Sequence, residues 1–196
     1  MARKSSKKAI LEAAERVILR QGLAGTTIEA VAAEAGMSKG GLFYHFARKK
    51  DLLLQLMEKY EEEFVSLREE IRSSLPEGPG NLLKATILAS VHGRFKANRN
   101  FSNMVTLLDD MDLRSKYAAM RRKLFDELTL DYPYPEKVAL ALVGTDGYLL
   151  MEIFGEAYPA EVQDKILDQL LQLIDRHTAD DLGIAAMAAA AAKLQA

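Results

Sequence analysis

Hydroxyl, ammonium and imidazole groups lie close together between residues 26 and 50 of the chain. Thr27 is the second residue of the segment TTIEAVAAEAGMSKGGLFYHF, and the apolar pattern of this segment begins there. Lys39 and His45 lie further along the same segment. A hydroxyl beside the free N–H groups of a helix start can bind a phosphate, and a lysine can donate to a guanine edge. Groups of this kind bind anions and base edges without making or breaking covalent bonds.

Residue types needed for most covalent and metal chemistry are scarce. The chain has no cysteine, which excludes a thiol nucleophile, zinc ribbons, iron–sulfur ligation and a disulfide framework. Its three histidines, His45, His92 and His177, are too far apart for ligand spacing, so neither a metal site nor a cofactor is predicted. No nucleophile is paired with a base at a supporting spacing, so we expect a protein that is not an enzyme.

The formal charge of −2 is unevenly distributed along the chain. Residues 1–50 hold ten Lys or Arg and four acidic residues, a charge of +6, whereas the remainder holds 16 basic and 24 acidic residues, a charge of −8. A polyanion meets the local field, so the basic N-terminal part is compatible with a nucleic-acid partner. The basic residues at the start of the chain have two alternative roles. They form either a disordered arm that adds non-specific affinity or an arm that reaches the minor groove. The arm residues are Arg3, Lys4, Lys7 and Lys8.

Helical periodicity runs through the chain, and no sustained alternation of period two indicates a strand, so the predicted fold is all-α. The predicted helices span residues 8–20, 27–34, 38–46, 49–74, 81–98, 101–109, 112–130, 135–156 and 159–177. The predicted N-caps are Thr26 or Thr27 for the second helix, and Ser38, Asn81 and Asp112 for later ones. No run is long and apolar enough to cross a bilayer and no signal-peptide pattern opens the chain, so we expect a cytoplasmic protein with no membrane partner.

Two short helices joined by a turn at Gly36 form the pattern of a helix-turn-helix, whose second helix enters the DNA major groove. Their predicted packing residues are Val31, Ala32, Ala35, Met37, Leu42, Phe43 and Phe46, above Leu11, Ala14 and Ile18 of the first helix. Together with the leading helix KKAILEAAERVILRQG and the following RKKDLLL, this segment resembles the TetR family of one-component bacterial transcriptional regulators. The motif match covers about residues 7–56, and beyond it only length and helix count are similar.

The resemblance implies a DNA-contact surface on the second helix of the motif and its flanks. The contact residues are Thr27, Lys39, Gly40, Gly41, Tyr44, His45, Lys49 and Lys50. Tyr44 and His45 are suited to phosphates or a thymine methyl. The two glycines cost about 1 kcal/mol each relative to alanine inside a helix. Either close approach of the backbone to DNA or relief of crowding against the first helix explains them. Many relatives carry a larger polar residue at the position of Gly41, so base readout there is in doubt.

The two C-terminal helices carry more apolar surface than one core-facing stripe requires. Helix 135–156 is apolar nearly all round, and the apolar arc of helix 159–177 spans about half of the helical wheel. Gly144, Gly147 and Gly155 could allow close helix approach across a two-fold axis, which resembles the four-helix dimer interface of the family. A homodimer through these helices is predicted, and a larger monomer core is the alternative.

Aromatic and methionine side chains of the middle helices are suited to an adaptable apolar pocket, although by sequence alone such residues are more often plain core. The resemblance favours a small apolar or amphipathic effector there. The predicted lining is Phe64, Phe95, Phe101, Met104, Leu108, Met111, Met120, Tyr148 and Met151.

The sequence therefore predicts a helix-turn-helix DNA-binding domain in residues 1–48, an effector-binding and dimerisation domain in 49–180, and an Ala-rich tail in 181–196. The function that the resemblance implies is a dimeric, ligand-responsive transcriptional regulator, a repressor that a small molecule releases from a pseudo-palindromic operator in double-stranded DNA. A structural or chromosome-organising DNA-binding protein without a small ligand is the alternative.

Overall fold

The computed structural model describes residues 2–92, 110–153 and 158–175. Within those ranges the chain forms eight helices and no strand, so the predicted all-α fold is confirmed. The helices are α1 (Ala2–Gly25), α2 (Ile28–Glu34), α3 (Lys39–His45), α4 (Lys49–Ser74), α5 (Asn81–Val91), α6 (Met111–Asp131), α7 (Pro135–Ile153) and α8 (Ala160–Asp175). The predicted helix at 101–109 and the Ala-rich tail at 181–196 lie outside the described residues.

Two of the four predicted N-caps are confirmed. Thr27 accepts a hydrogen bond from the Ala30 N–H, and Ser38 accepts one from the Gly41 N–H, both at 3.1 Å. Each bond satisfies an N–H that has no partner within its own helix.

The other two predicted caps were wrong. At α6 the cap is Asp110, whose Oδ1 accepts from the N–H groups of Asp112 and Leu113 at 2.9 and 3.2 Å. At α5 the Asn81 side chain points back along the chain and donates to the Pro76 carbonyl at 2.8 Å. The sequence pattern alone did not distinguish these arrangements from an ordinary cap.

The N-terminal helix is longer than predicted. It begins at Ala2, so the positive residues predicted to form a disordered arm lie in α1 and the predicted disorder was wrong, whereas the alternative, contact with the minor groove, stays a prediction. Gly22 interrupts the helix with φ 70° and ψ 171°, where the absence of a Cβ removes the steric penalty. The Thr26 hydroxyl donates to the Gly22 carbonyl at 2.8 Å and holds this break.

The described chain folds into two compact units, and the first comprises the described residues up to Leu67 together with 92 and 110–123. Helices α1, α2 and α3 and the start of α4 share one apolar core. Its buried residues are Ile10, Ala13, Ala14, Val17, Ile28, Val31, Ala32, Leu42, Phe46 and Leu52. A second cluster in this unit joins α1, α4 and α6 through Ile18, Leu53, Leu56, Met57, Tyr60 and Leu113.

Phe43 does not belong to that core, so its prediction as a packing residue was wrong. Leu42 and Phe46 are four residues apart and take the buried face of the short helix α3. Phe43 is one position further round, and 42% of its surface is exposed.

The second unit comprises residues 68–91 and the described residues from Leu124 onward. Helices α5, α6, α7 and α8 contribute its core, which contains Leu82, Leu83, Ile87, Leu128, Tyr132, Val138, Ala141, Leu142, Leu173 and Ile174. The Tyr132 hydroxyl donates to the Ile174 carbonyl at 2.7 Å, so the buried phenol is satisfied by the end of α8.

Candidate nucleic-acid interface and ligand cleft

Helices α2 and α3 are connected by a tight turn that fixes how α3 is presented. Gly36 adopts φ 66° at the end of α2, and the Met37 N–H donates to the Ala32 carbonyl at 2.9 Å. Ser38 then caps α3, so Lys39 occupies the first position of that helix. Leu42 and Phe46 pack into the core, so the opposite face of α3 is exposed to solvent.

The solvent face of α3 carries most of the predicted contact residues. Tyr44 is 70% exposed, and its ring meets that of His45 edge to face with centroids 5.4 Å apart. The Lys39 ammonium lies 5.6 Å from the centroid of the Phe43 ring, a cation–π arrangement. Phe43 is therefore an exposed aromatic side chain on this face, and the sequence reasoning missed it because it assigned Phe43 to the core.

Lys39 also forms an ion pair with Glu29 of α2. A hydrogen bond from Lys39 is the main reason that the pKa of the Glu29 carboxyl lies below its ordinary value of 4.5. Both side chains are more than half exposed, so the pair adds little stability. Its consequence is local: the Lys39 ammonium lies between a carboxylate and an aromatic ring.

Gly40 and Gly41 leave the backbone of α3 uncovered. A Cβ added at Gly40 would meet nothing within 4 Å, and one at Gly41 would meet only Ser38 Oγ at 3.3 Å and Met37 Cε at 3.6 Å. Neither position faces α1, so the alternative that these glycines relieve crowding against the first helix was wrong. Close approach of another molecule remains the predicted reason for the pair.

Lys49 and Lys50 open α4 in different environments. The Lys49 Nζ donates to the Leu23 carbonyl at 2.8 Å, and burial lowers its pKa from the ordinary value of 10.5. Lys50 forms an ion pair with Asp112 and lies 3.6 Å from Asp110 Oδ1. Both lysines therefore have partners within the chain, which sequence spacing alone did not indicate.

Ion pairs within the first unit occupy several of the basic side chains counted from the sequence. Arg16 and Arg20 both bind the Glu34 carboxylate, at 2.6 and 2.5 Å, and Arg48 binds Asp51 at 2.7 Å. Hydrogen bonds from Arg20 and then Arg16 lower the pKa of Glu34. Glu34 is already subtracted in the formal +6, so only carboxylates from beyond residue 50, such as Asp51, lower the positive charge below that count.

A cleft of about 320 Å³ opens between α7 and α8 in the second unit. Its lining residues are Gly144, Gly147, Tyr148, Met151, Tyr158, Gln163 and Ile166. The Tyr148 hydroxyl donates to Gln163 Oε1 at 3.3 Å, and Gln163 Nε2 donates to the Tyr158 carbonyl at 2.6 Å. Two of the predicted effector residues, Tyr148 and Met151, therefore share one cleft.

The remaining predicted effector residues do not line this cleft. Met120 packs against the second apolar cluster of the first unit, and Phe64 is half-buried on α4. Met111 is 68% exposed because it occupies the first position of α6, which is not the environment predicted for a pocket residue. Phe95, Phe101, Met104 and Leu108 lie outside the described residues.

Apolar side chains are exposed on the same two helices as the cleft. They are Leu140 and Val143 on α7, Val162 on α8 and Tyr158 just before α8. Gly144 is not part of an open face, since an added Cβ would lie 2.5 Å from Cδ2 of Leu170. The predicted role of Gly144 in an approach across a two-fold axis is therefore corrected: this glycine allows α7 and α8 of one chain to pack. Gly155 lies outside the described residues.

Membrane-spanning and metal-binding features are both missing from the part of the chain that the structure describes. None of the helices in those ranges combines the length and apolar character needed to cross a membrane. In the same ranges, no three His, Asp or Glu side chains come together in a group that could hold a metal ion.

Two family models match the chain. One, described as "Bacterial regulatory proteins, tetR family", matches residues 10–56, and a "Tetracyclin repressor-like, C-terminal domain" matches residues 80–175. The first match contains α2, α3 and the start of α4, and the second contains the cleft.

Several curated regulators match part of the chain. The HTH-type transcriptional regulator AcrR of Shigella flexneri is 30% identical over 94 residues, which are 45% of this chain and 44% of AcrR. The regulator YerO of Bacillus subtilis (strain 168) is 29% identical over 102 residues, 52% of this chain and 34% of its own. The chain thus spans less than half the length of these relatives.

Solved structures share the fold over most of the chain. A transcriptional regulator from Rhodococcus sp. Rha1 has a TM-score of 0.69 at 21% identity, covering 86% of this chain and 95% of its own. The multidrug binding protein EbrR complexed with malachite green has a TM-score of 0.68 at 23% identity, covering 86% and 97%. At these identities the likeness establishes the fold alone.

Proposed function

Because the chain belongs to the TetR family of transcriptional regulators, we propose that it binds a pseudo-palindromic operator as a homodimer and represses transcription until a small molecule releases it. The observation that carries this proposal is the exposed face of α3, on which Lys39, Phe43 and Tyr44 lie beside an uncovered glycine backbone. We further propose that the protein acts in the cytoplasm, where its operator is accessible, and that residues 1–48 act as the DNA-binding domain.

The chemistry of α3 suits the major groove. A lysine ammonium can donate to O6 and N7 of guanine, and an exposed aromatic ring can contact a thymine methyl. Tyr44 and His45 supply donors for phosphates, which fix the orientation of the helix without reading sequence. Thr27, Lys49 and Lys50 flank α3 and complete the proposed contact set, in which Gly40 and Gly41 allow the backbone close to the duplex.

The exposed apolar side chains of α7 and α8 support dimerisation through these helices. Val143 is 67% exposed, and Leu140 on the same helix and Val162 on α8 are exposed as well. A large exposed apolar patch is typical of an interaction surface. Two copies related by a two-fold axis would present two α3 helices to half-sites about 34–36 Å apart, one helical turn of DNA.

The cleft between α7 and α8 supports a small-molecule effector. Its lining is aromatic and aliphatic with one amide, Gln163, and two tyrosines, Tyr148 and Tyr158, whose polar groups can hydrogen-bond a guest. This lining suits a small apolar or amphipathic molecule. The malachite green complex of EbrR, which has the same fold, is consistent with a ligand of this class.

Coupling of the two binding events requires two conformations that DNA and effector prefer differently. An effector that binds one of them more tightly shifts the population by its differential affinity, typically about 1–3 kcal/mol. Helix α4 contributes residues to both compact units. We therefore propose that the effector acts by changing the position of α4.

Sequence selection from a random duplex library, followed by gel shift, tests the DNA-binding proposal. We expect recovery of an inverted repeat, and we expect Tyr44→Ala to weaken its binding at least tenfold without changing the dimer mass in light scattering. Leu130→Ala is the matched control, because it truncates an 88% exposed side chain of the second unit. Recovery of no preferred sequence would favour a structural DNA-binding protein, and undiminished binding by Tyr44→Ala would exclude the assigned face.

A further inference from the structure

Lys50 is held by two carboxylates of the same compact unit. Its ammonium contacts Asp112 and lies 3.6 Å from Asp110 Oδ1, and its side chain is only 25% exposed. Lys50 stands at the second position of α4, whereas both aspartates stand at the start of α6, sixty residues later in the chain. A pairing between residues so distant in sequence has to be positioned by the helices that carry them.

The two carboxylates are positioned independently of Lys50. Asp110 accepts the N–H groups of Asp112 and Leu113, so the backbone of α6 fixes its orientation. Leu113 is buried in the cluster that contains Leu53 and Met57 of α4. The start of α6 therefore presents negative charge at a fixed place beside the first turn of α4.

Other ion pairs join α4 and α6 within the same unit. Lys116 of α6 binds Glu58 of α4 at 3.4 Å, and Lys123 binds Glu61 at 3.6 Å. Neither pair includes a residue of the proposed DNA-contact set. Lys50 differs from these lysines because it is a proposed DNA contact that is already bound to carboxylates.

We propose that Asp110 and Asp112 compete with DNA phosphates for Lys50, so that the acidic start of α6 lowers the DNA affinity of the protein. This inference rests on the proposed function, because it requires that Lys50 contact DNA. An ammonium bound to two carboxylates must leave them, at least in part, to bind a phosphate. A movement that separates α6 from the first turn of α4 would then raise affinity without changing α3.

The test measures binding of a labelled, mixed-sequence duplex of about three helical turns by fluorescence anisotropy at several salt concentrations. The variant is Asp110→Asn with Asp112→Asn, in which the asparagine at 110 can still cap α6. We expect its affinity to exceed that of the wild type by up to about fivefold, the range of a partly exposed ion pair. We expect the salt dependence to steepen by about one released counterion. In a Lys50→Gln background the same two substitutions should give no gain.

The matched control carries Glu62→Gln with Asp126→Asn, which removes two negative charges from exposed positions outside this contact. A gain in the control equal to that of the aspartate variant, or a gain that persists without Lys50, would overturn the proposal. Thermal unfolding without DNA must also show coupling between Lys50→Gln and Asp112→Asn, and additive effects would overturn it as well. If coupling is present but no variant binds any duplex, the proposed function fails while the ion pair stands.

Discussion

The Arg68 guanidinium forms a bidentate ion pair with the Glu127 carboxylate: Nη1 lies 3.0 Å from Oε2, and Nη2 lies 2.7 Å from Oε1. Arg68 is buried, whereas the Glu127 side chain is 43% exposed. The Nε of Arg68 has no hydrogen-bond partner among the described residues. The pair joins α4 to α6 within the second unit, and its two members have unequal access to water.

That asymmetry predicts unequal costs of removing each partner. Glu127→Leu leaves the buried guanidinium with only the more distant Glu69 carboxylate, 3.7 Å from Nη2, and we expect it to lower the free energy of unfolding by about 2–3 kcal/mol. Arg68→Met removes the buried charge and the unpaired Nε together and should cost less, about 1 kcal/mol. Urea unfolding of both variants checks the order, and a larger loss in Arg68→Met would contradict it.

Gly80 is predicted to tolerate no side chain. Its φ is 68°, and a Cβ there would overlap Cγ2 of Ile174 and lie 3.1 Å from Cδ2 of Tyr132. Backbone strain and a clash inside a packed core act together, so we expect Gly80→Ala to cost at least about 3 kcal/mol. Gly147→Ala is the control, since a Cβ there meets nothing within 4 Å and should leave the melting temperature unchanged or raise it. Thermal unfolding of the two variants makes the comparison, and equal melting temperatures would contradict the prediction.

Leu42 and Phe43 are adjacent in sequence, but we expect substitution of Leu42 to lower stability and substitution of Phe43 to weaken DNA binding. Leu42 is fully buried, so Leu42→Ala should lower the free energy of unfolding by about 2–5 kcal/mol. Phe43→Ala should cost less than about 1 kcal/mol, because the ring is partly exposed, but should weaken duplex binding severalfold. Chemical unfolding and anisotropy on the same two variants test this. A stability loss in Phe43→Ala as large as that in Leu42→Ala would contradict this prediction and show that Phe43 belongs to the core.

Acid pH should weaken the contact between α1 and α2 through Glu34. Hydrogen bonds from Arg20 and Arg16 lower the pKa of Glu34 in the folded state below the ordinary value of 4.5, which the unfolded chain retains. The contribution to stability is therefore present above about pH 4.5 and is lost as the pH falls through the lower, folded-state pKa. We expect the melting temperatures of the wild type and Glu34→Gln to converge as the pH falls below this value. A difference that stays constant with pH would show that the charged pair adds nothing.

Local signals in the sequence predicted the elements well, because each depends on a few neighbouring residues. Helix α4 spans Lys49–Ser74 as predicted, and Thr27 and Ser38 cap the helices that follow them. The position of Phe43 was missed because a seven-residue helix has too few turns for periodicity to separate its faces.

Relationships between distant residues were not predictable in the same way. The pairing of Lys50 with Asp110 and Asp112 depends on the packing of α4 against α6, and no local sequence pattern predicts it. The fit of Gly144 against Leu170 likewise depends on how α7 and α8 pack. Charge counting predicted a basic N-terminal region, but its ion pairs form only once the helices are in place.

Gly40 offers the most direct test of how closely DNA approaches α3. A Cβ at this position meets nothing in the free protein, and alanine is the better helix former by about 1 kcal/mol. Gly40→Ala should therefore leave the melting temperature unchanged or raise it. If the backbone approaches the duplex as proposed, the added methyl group should still weaken binding of the selected operator by tenfold or more. Differential scanning fluorimetry and anisotropy measure the two quantities on one sample, and unchanged operator affinity would place the backbone of α3 away from the DNA.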